Sequence, residues 1–382
     1  MARVEKVPGR RRAEPASTGH SAERAAEKPA RARARGRRTP DIATGTRPVP
    51  TVLNAPDDRR RGAGAVRWVW LAAVLLSAGG LLALQVMDGP SLGRQGLAAL
   101  LGVLLTVGLA VRAGGRPLPA GLVALGLGAT AVTSQWPPLL AGVAVGTAVV
   151  AACLGILGTT PAPSMRAVVR EVVLAQAVAT IGAIAVAGYV VDLDPTTFAY
   201  LVLAISLIAT IAMVYRLGAG LHGLGRRGLA LGVTAIVMLT IALAYSEALG
   251  RWGSPGLTDQ VDTVRLWLRD HLGAVPHPIE VLLGIPALSW GVFMRARRRQ
   301  GWWVTAFGVA ATAPATGRLI DPGMTATNTL LGAAYSLLVG LALGYLLIRA
   351  EQAFQGTRGS RARRSEEAAA HRPEPFRLRP LH

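Results

Sequence analysis

PLLAGVAVGTAVVAACLGIL, residues 138–157, carries no charged side chain, and its only polar groups are those of Thr147 and Cys153. An α-helix rises about 1.5 Å per residue, so a run of about 20 residues covers the ~30 Å of hydrocarbon in a bilayer. Small residues recur within it, including Gly142 and Gly146. Glycine weakens a helix in water, whereas membrane helices use small residues to bring backbones close where no hydrophobic effect drives association. The stretch therefore predicts a membrane span.

The same pattern repeats on both sides of it. Apolar runs at 66–86, 96–111, 118–133, 138–157, 168–191, 198–215, 228–245, 279–294, 302–314 and 328–348 predict an all-α, polytopic transmembrane helix bundle of about ten spans. The ninth run is the shortest. Composition agrees: 51% of the 382 residues are hydrophobic and 16% charged, with a mean hydropathy of +0.40, which excludes an ordinary soluble protein. The first apolar run follows a long polar segment and is long enough to anchor, which is not the pattern of a cleaved signal peptide.

The formal net charge of +20 is concentrated at the termini and in short connections, so it does not predict specific nucleic-acid binding. Arginine supplies nearly all of it, because Lys6 and Lys28 are the only lysines. Alternate connections differ sharply. One set holds Arg112 and Arg116, then Arg166 and Arg170, then Arg216, Arg226 and Arg227, then Arg295 and Arg297 to Arg299. The short connections of the other hold little beyond Arg94 and Arg318, and its one long loop, with Arg251, Arg265 and Arg269, is a weaker vote because long loops cross largely regardless of charge. Arginine is retained on the cytoplasmic side, so this asymmetry predicts both termini inside and a plasma-membrane location. Residues 1–64 are read as a disordered basic tail, 65–349 as the transmembrane domain and 350–382 as a second disordered basic tail. The Pro-spaced end of that tail, Arg372 to Phe376, permits an extended docking peptide. Membrane lipids, and a protein bound through either tail, are the partners this organisation implies.

The outward loop 248–277 contains one further element. Thr258 to Leu272 has a cap at Thr258, early acids at Asp259 and Asp262, and Gly273 beyond its end. Val261, Val264, Leu268 and Leu272 share one face, which predicts an amphipathic helix lying on the membrane surface. Arg265 and Arg269 stand one turn apart, as do Arg166 and Arg170 at the start of the fifth span. Both pairs are candidates for holding a lipid phosphate, set against simple headgroup solvation.

The span centres hold almost no ionisable groups, which argues against proton coupling through a buried carboxylate. Acids gather instead at the outward ends: Asp192, Asp194, Glu247, Glu280 and Asp321, with Arg318 nearby. In a single bundle these residues form a candidate outer vestibule for a polar or phosphorylated ligand; otherwise they simply face water. Glu280, set in the first turn after Pro276 and Pro278, is the strongest single candidate. Pro286 and Pro314 are expected to kink the eighth and ninth spans, and Gly142 with Gly146 and Gly340 with Gly344 to mark close helix packing.

No catalytic residue, cofactor or metal is predicted. Cys153 is the only cysteine, His271 and His277 lack the spacing of paired ligands, and Gly218, Gly220 and Gly223 follow an apolar run rather than a strand. Three readings follow: a permease-like protein for a small or lipidic solute, an envelope scaffold or complex subunit, and a lipid-linked transferase or hydrolase. The thin set of acids and bases ranks the enzyme last, and the permease leads.

Overall fold

The computed structural model describes residues 57–192, 194–216, 237, 255–297, 301–320, 325–355, 377 and 379–381. The described elements are all helical: α1 Asp57–Val86, α2 Ser91–Arg112, α3 Pro117–Ser134, α4 Pro137–Leu157, α5 Met165–Gly188 and α6 Pro195–Arg216, then α7 Pro255–Leu272, a π-turn Glu280–Gly284, α8 Ile285–Arg295, α9 Gly301–Ala306, α10 Val309–Thr316 and α11 Ala326–Gln355. Among the described residues seven helices are long and apolar enough to cross a membrane, namely α2 to α6, Gly64–Val86 within α1 and Ala326–Ala353 within α11. The expected seventh span, 228–245, lies outside the described residues.

Several boundaries differ from the sequence-based expectation. α1 begins at Asp57, so the limit at 64 falls inside a helix that includes Arg59, Arg60 and Arg61. α11 continues to Gln355, past the expected limit at 349. α7 begins at Pro255, not at a Thr258 cap, because proline is pre-set for the first helical position and loses no hydrogen bond there. Its end is as expected, with Gly273 left-handed at φ 74°. Val264, Leu266 and Trp267 are exposed along it, and the Trp267 ring stacks on His271.

The eighth and ninth runs are not simple spans. Pro286 has no N–H to donate and its ring crowds the carbonyl four residues back. The preceding turn widens, so that the N–H of Ile285 donates to the carbonyl of Glu280. The ninth run breaks at Phe307 and Gly308 into α9 and α10, of 6 and 8 residues. Neither piece alone can span ~30 Å at 1.5 Å per residue. α10 packs against α4, α5 and α6 as well as the π-turn and α8, and seven of its residues, from Val309 to Thr316 with only Pro314 excepted, are buried. The shortest apolar run therefore occupies the interior.

Glycine decides how closely these pieces approach. A Cβ at Gly284 would fall inside the backbone of Ala310 and Ala311, and one at Gly291 would fall on Thr305. Gly340 and Gly344 face Ile285 and Ser289, so α11 runs alongside the π-turn and α8 in the same direction. The other expected motif meets no close neighbour among the described residues: a Cβ at Gly142 or Gly146 would have nothing within 4 Å, because the face of α4 that contacts them carries Leu140, Ala144, Thr147, Ala148 and Ala151 instead.

Polar side chains tie helices together at the arginine-poor end. Gln95 Nε2 donates to the carbonyl of Tyr189 at 3.1 Å, and Gln135 Nε2 to Gln95 Oε1 at 2.6 Å. These bonds join the ends of α3 and α5 to the start of α2.

Gly284→Ala is expected to separate the π-turn from α10 and cost about 1–3 kcal/mol or more, as overpacking does in tight cores. Gly142→Ala is expected to change stability by less than ~0.5 kcal/mol. Thermal unfolding of both variants in the same detergent checks the contrast.

Candidate functional site

Glu280 lies in the π-turn with its side chain 0% exposed, and its Oε2 accepts from Arg318 Nη2, whose side chain is 8% exposed. The pairing follows from the local chain: the π-turn sets Glu280 against the residues that follow α10, and α10 ends at Thr316 just before Arg318. Glu280 Oε1 and Arg318 Nε have no hydrogen-bond partner among the described residues. The pair is thus buried yet only half satisfied. Such a carboxylate can accept a proton or a hydrogen bond from an incoming polar group, and π-turns recur at functional sites.

Elsewhere among the helices around α10, hydroxyl and amide groups are buried. Gln176 Nε2 donates to the carbonyl of Ala311 at 3.3 Å, and Thr312 Oγ1 to that of Ala152 at 3.1 Å. Gln176 Oε1 and Ser206 Oγ are buried without a partner among the described residues. Thr210 Oγ1 donates to Cys153 Sγ at 3.3 Å. This polar seam follows α10, the discontinuous element at the centre of the helices.

Of the acids expected at the outer mouth, the structure brings Glu280 together with Arg318. Burial of Glu280 overturns the expectation that the outward acids all face water. Asp192 and Asp194 are exposed. Asp194 has a structural task, because its Oδ2 accepts from the N–H of Thr197 at 2.7 Å and caps α6. The Thr197 hydroxyl and backbone N–H hold its carboxyl below the usual carboxylate range. The cap is therefore in place at neutral pH and is lost only as pH falls through that lowered value. Glu247 and Asp321 lie outside the described residues.

The expected phosphate contacts divide similarly. Arg166 and Arg269 are exposed, while the side chain of Arg265 lies outside the described residues. Arg170 instead turns to its neighbour, with Nη2 2.9 Å from Glu171 Oε1 and its side chain 60% exposed.

A second charged cluster lies at the arginine-rich end, where Arg170 and Glu171 read in sequence as an anchor of the fifth span, and the contributions of Arg112 and Arg295 were not evident. Glu171 is 0% exposed, and its Oε2 accepts from the N–H of Thr160 at 2.8 Å. Arg112, fully buried at the end of α2, donates from Nε to the carbonyl of Leu157 at 2.7 Å and from Nη2 to that of Thr159 at 3.2 Å. Arg295 reaches the same residue, with Nη1 2.7 Å from Thr159 Oγ1, and lies over the Trp302 ring at 3.5 Å. Cations there satisfy the last carbonyls of α4 and complement its dipole. In sequence these arginines look like any others placed by the positive-inside bias. The one local hint is their position as the last residue of an apolar helix.

Among the described residues no group of three or more His, Cys, Asp or Glu side chains could hold a metal ion. No protein-family model, curated protein or solved structure matches the chain.

Removing one member of a buried ion pair costs about 3–5 kcal/mol, because the other charge stays behind. Arg318→Met is therefore expected to lose about that much stability, and Arg318→Met with Glu280→Gln to recover most of it. Denaturation midpoints in detergent distinguish the two variants.

Proposed function

We propose that this chain is a multi-pass membrane protein of about ten spans that lets a small or lipidic solute pass through its interior, with the Glu280 and Arg318 pair closing the passage at the arginine-poor end. The observation that carries this reading is the half-satisfied buried pair set in a π-turn against a discontinuous central helix. Broken helices inside a bundle place polar backbone and side chains at membrane depth, the usual construction of a transporter's binding site. Gln176, Thr312 and Ser206 supply uncharged polar groups along that route.

The remaining parts of the proposal follow from charge and topology. Arg216 ends α6 at the arginine-rich end, while Leu272 accepts a hydrogen bond from Tyr335 near the start of α11 at the other. A further crossing between them is what the expected span at 228–245 would provide. The arginine asymmetry supports a plasma-membrane protein with both termini in the cytoplasm. Buried Glu280 also gives proton coupling a candidate carboxylate that the sequence alone argued against. The scaffold reading relied on tails directed at other molecules, and the described end of the C-terminal tail instead contacts this chain's own helices.

A permease interior admits water. In a Cys153→Ala background, Thr312→Cys and Gln176→Cys are expected to react with a small hydrophilic thiol reagent. Breaking the pair by Glu280→Gln, which leaves the Arg318 guanidinium without its carboxylate, is expected to raise those rates about tenfold or more, since ~1.4 kcal/mol of lost gate stability already gives tenfold. Interior cysteines that remain unreactive in both backgrounds would remove the permease reading.

A further inference from the structure

The last described residues of the chain return to the helices. Arg377 makes a two-pronged ion pair with Glu171, Nη1 lying 2.6 Å from Oε2 while Nη2 donates to Oε1. Two residues on, the carbonyl of Arg379 accepts from Arg112 Nη1 at 3.0 Å. After a further two, the N–H of Leu381 donates to the carbonyl of Arg112 at 3.3 Å. The Leu381 side chain packs on the apolar cluster of Leu157, Val214, Trp302 and Ala306, beside Met213 and Trp303. The segment turns at Arg377 and bends at Arg379, and it meets the helices through both backbone groups and side chains, the combination that gives a docked peptide affinity and specificity.

We infer that the arginine-rich end of the bundle is a peptide-docking cradle whose occupant is this chain's own C-terminal segment. The cradle suits this occupant chemically. Glu171 is fully buried, its neighbour Arg170 bonds only Oε1, and Arg377 is the guanidinium that bonds both oxygens. Two-pronged pairing of this kind needs the planar guanidinium fork of arginine, which lysine cannot supply. A lipid phosphate, being an anion, cannot take the place of Arg377 on Glu171.

The tether allows docking in cis. About 20 residues separate Gln355 from Arg377, a reach of up to roughly 70 Å at ~3.3 Å per residue, more than the thickness of the membrane. Such a link gives the tail a local concentration in the millimolar range, so even a weak peptide affinity keeps the cradle filled. Phosphorylation is not required to recruit it, since Arg377 supplies the charge. The inference rests on the tail contacts and not on the solute-passage reading, so either can fail without the other.

The test uses purified full-length protein in lipid nanodiscs, where both faces are accessible. In a Cys153→Ala background, Met213→Cys reports on the cradle through its labelling rate with a hydrophilic maleimide. The native tail is expected to protect it, and Arg377→Glu or Leu381→Glu, each confined to the tail, to raise the rate about tenfold or more, as loss of ~1.4 kcal/mol or more of docking would. A synthetic peptide of residues 372–382, added to the Arg377→Glu protein, is expected to restore protection, and the same peptide carrying Arg377→Glu to give none. Equal labelling with native and substituted tails, or no protection by the native peptide, overturns the proposal. If both tail variants label fast and only the native peptide protects, the cradle and its occupant are established without reference to any transported solute.

Discussion

A backbone carbonyl or N–H without a partner in hydrocarbon costs several kcal/mol, and the bundle is organised around the places where its helices cannot meet that demand themselves. Where α4 ends, Gly158 and Thr159 meet the carbonyls of Leu154 and Ile156, while Arg112 supplies the donor for that of Leu157 and, with Arg295, for that of Thr159 just beyond. Proline interrupts the ladder at Pro286, and the π-turn re-pairs Ile285 with Glu280. The ninth apolar run breaks at Phe307 and Gly308, where bonds to Val304 and Thr305 close the turn. Each departure from continuous helix draws polar side chains to it. The candidate sites are at these departures because only there does the interior have unused hydrogen-bonding capacity.

The two buried carboxylates differ in how completely they are satisfied. Glu171 receives the N–H of Thr160, the guanidinium of Arg170 and both prongs of Arg377. Glu280 has Arg318 on one oxygen and, among the described residues, nothing on the other. A fully satisfied buried network rigidifies its surroundings, whereas a partly satisfied one has capacity left for a ligand or a proton. The arginine-rich end therefore reads as a clasp and the arginine-poor end as a site.

Glycine makes both possible. Without a side chain at Gly284, the backbone of α10 approaches the π-turn closely enough to hold Glu280 near Arg318. Gly291 and Gly301 do the same between α8 and α9, which brings Arg295 over Trp302. Close approach replaces hydrophobic driving force where the surroundings are already apolar.

Sequence by itself determined the membrane class, six of the first six spans and the last, the amphipathic helix ending at Gly273, and the division into arginine-rich and arginine-poor ends. These are properties of local hydropathy and charge, and a run such as 138–157 carries them whatever it packs against. Tertiary structure decided the rest. Among the described residues Gly340 and Gly344 sit against another helix while Gly142 and Gly146 meet none closely, although both pairs have the same spacing. The short ninth run became a broken core element because burial on every side, not length, is what α10 satisfies. Glu280 was legible as a first-turn acid, but its burial depends on Arg318, 38 positions away. Arg112, Arg295 and Arg377 were legible only as charge. Which carbonyl or carboxylate an arginine meets is fixed by the fold, since a partner 206 positions distant, as Glu171 is from Arg377, leaves no mark in local sequence.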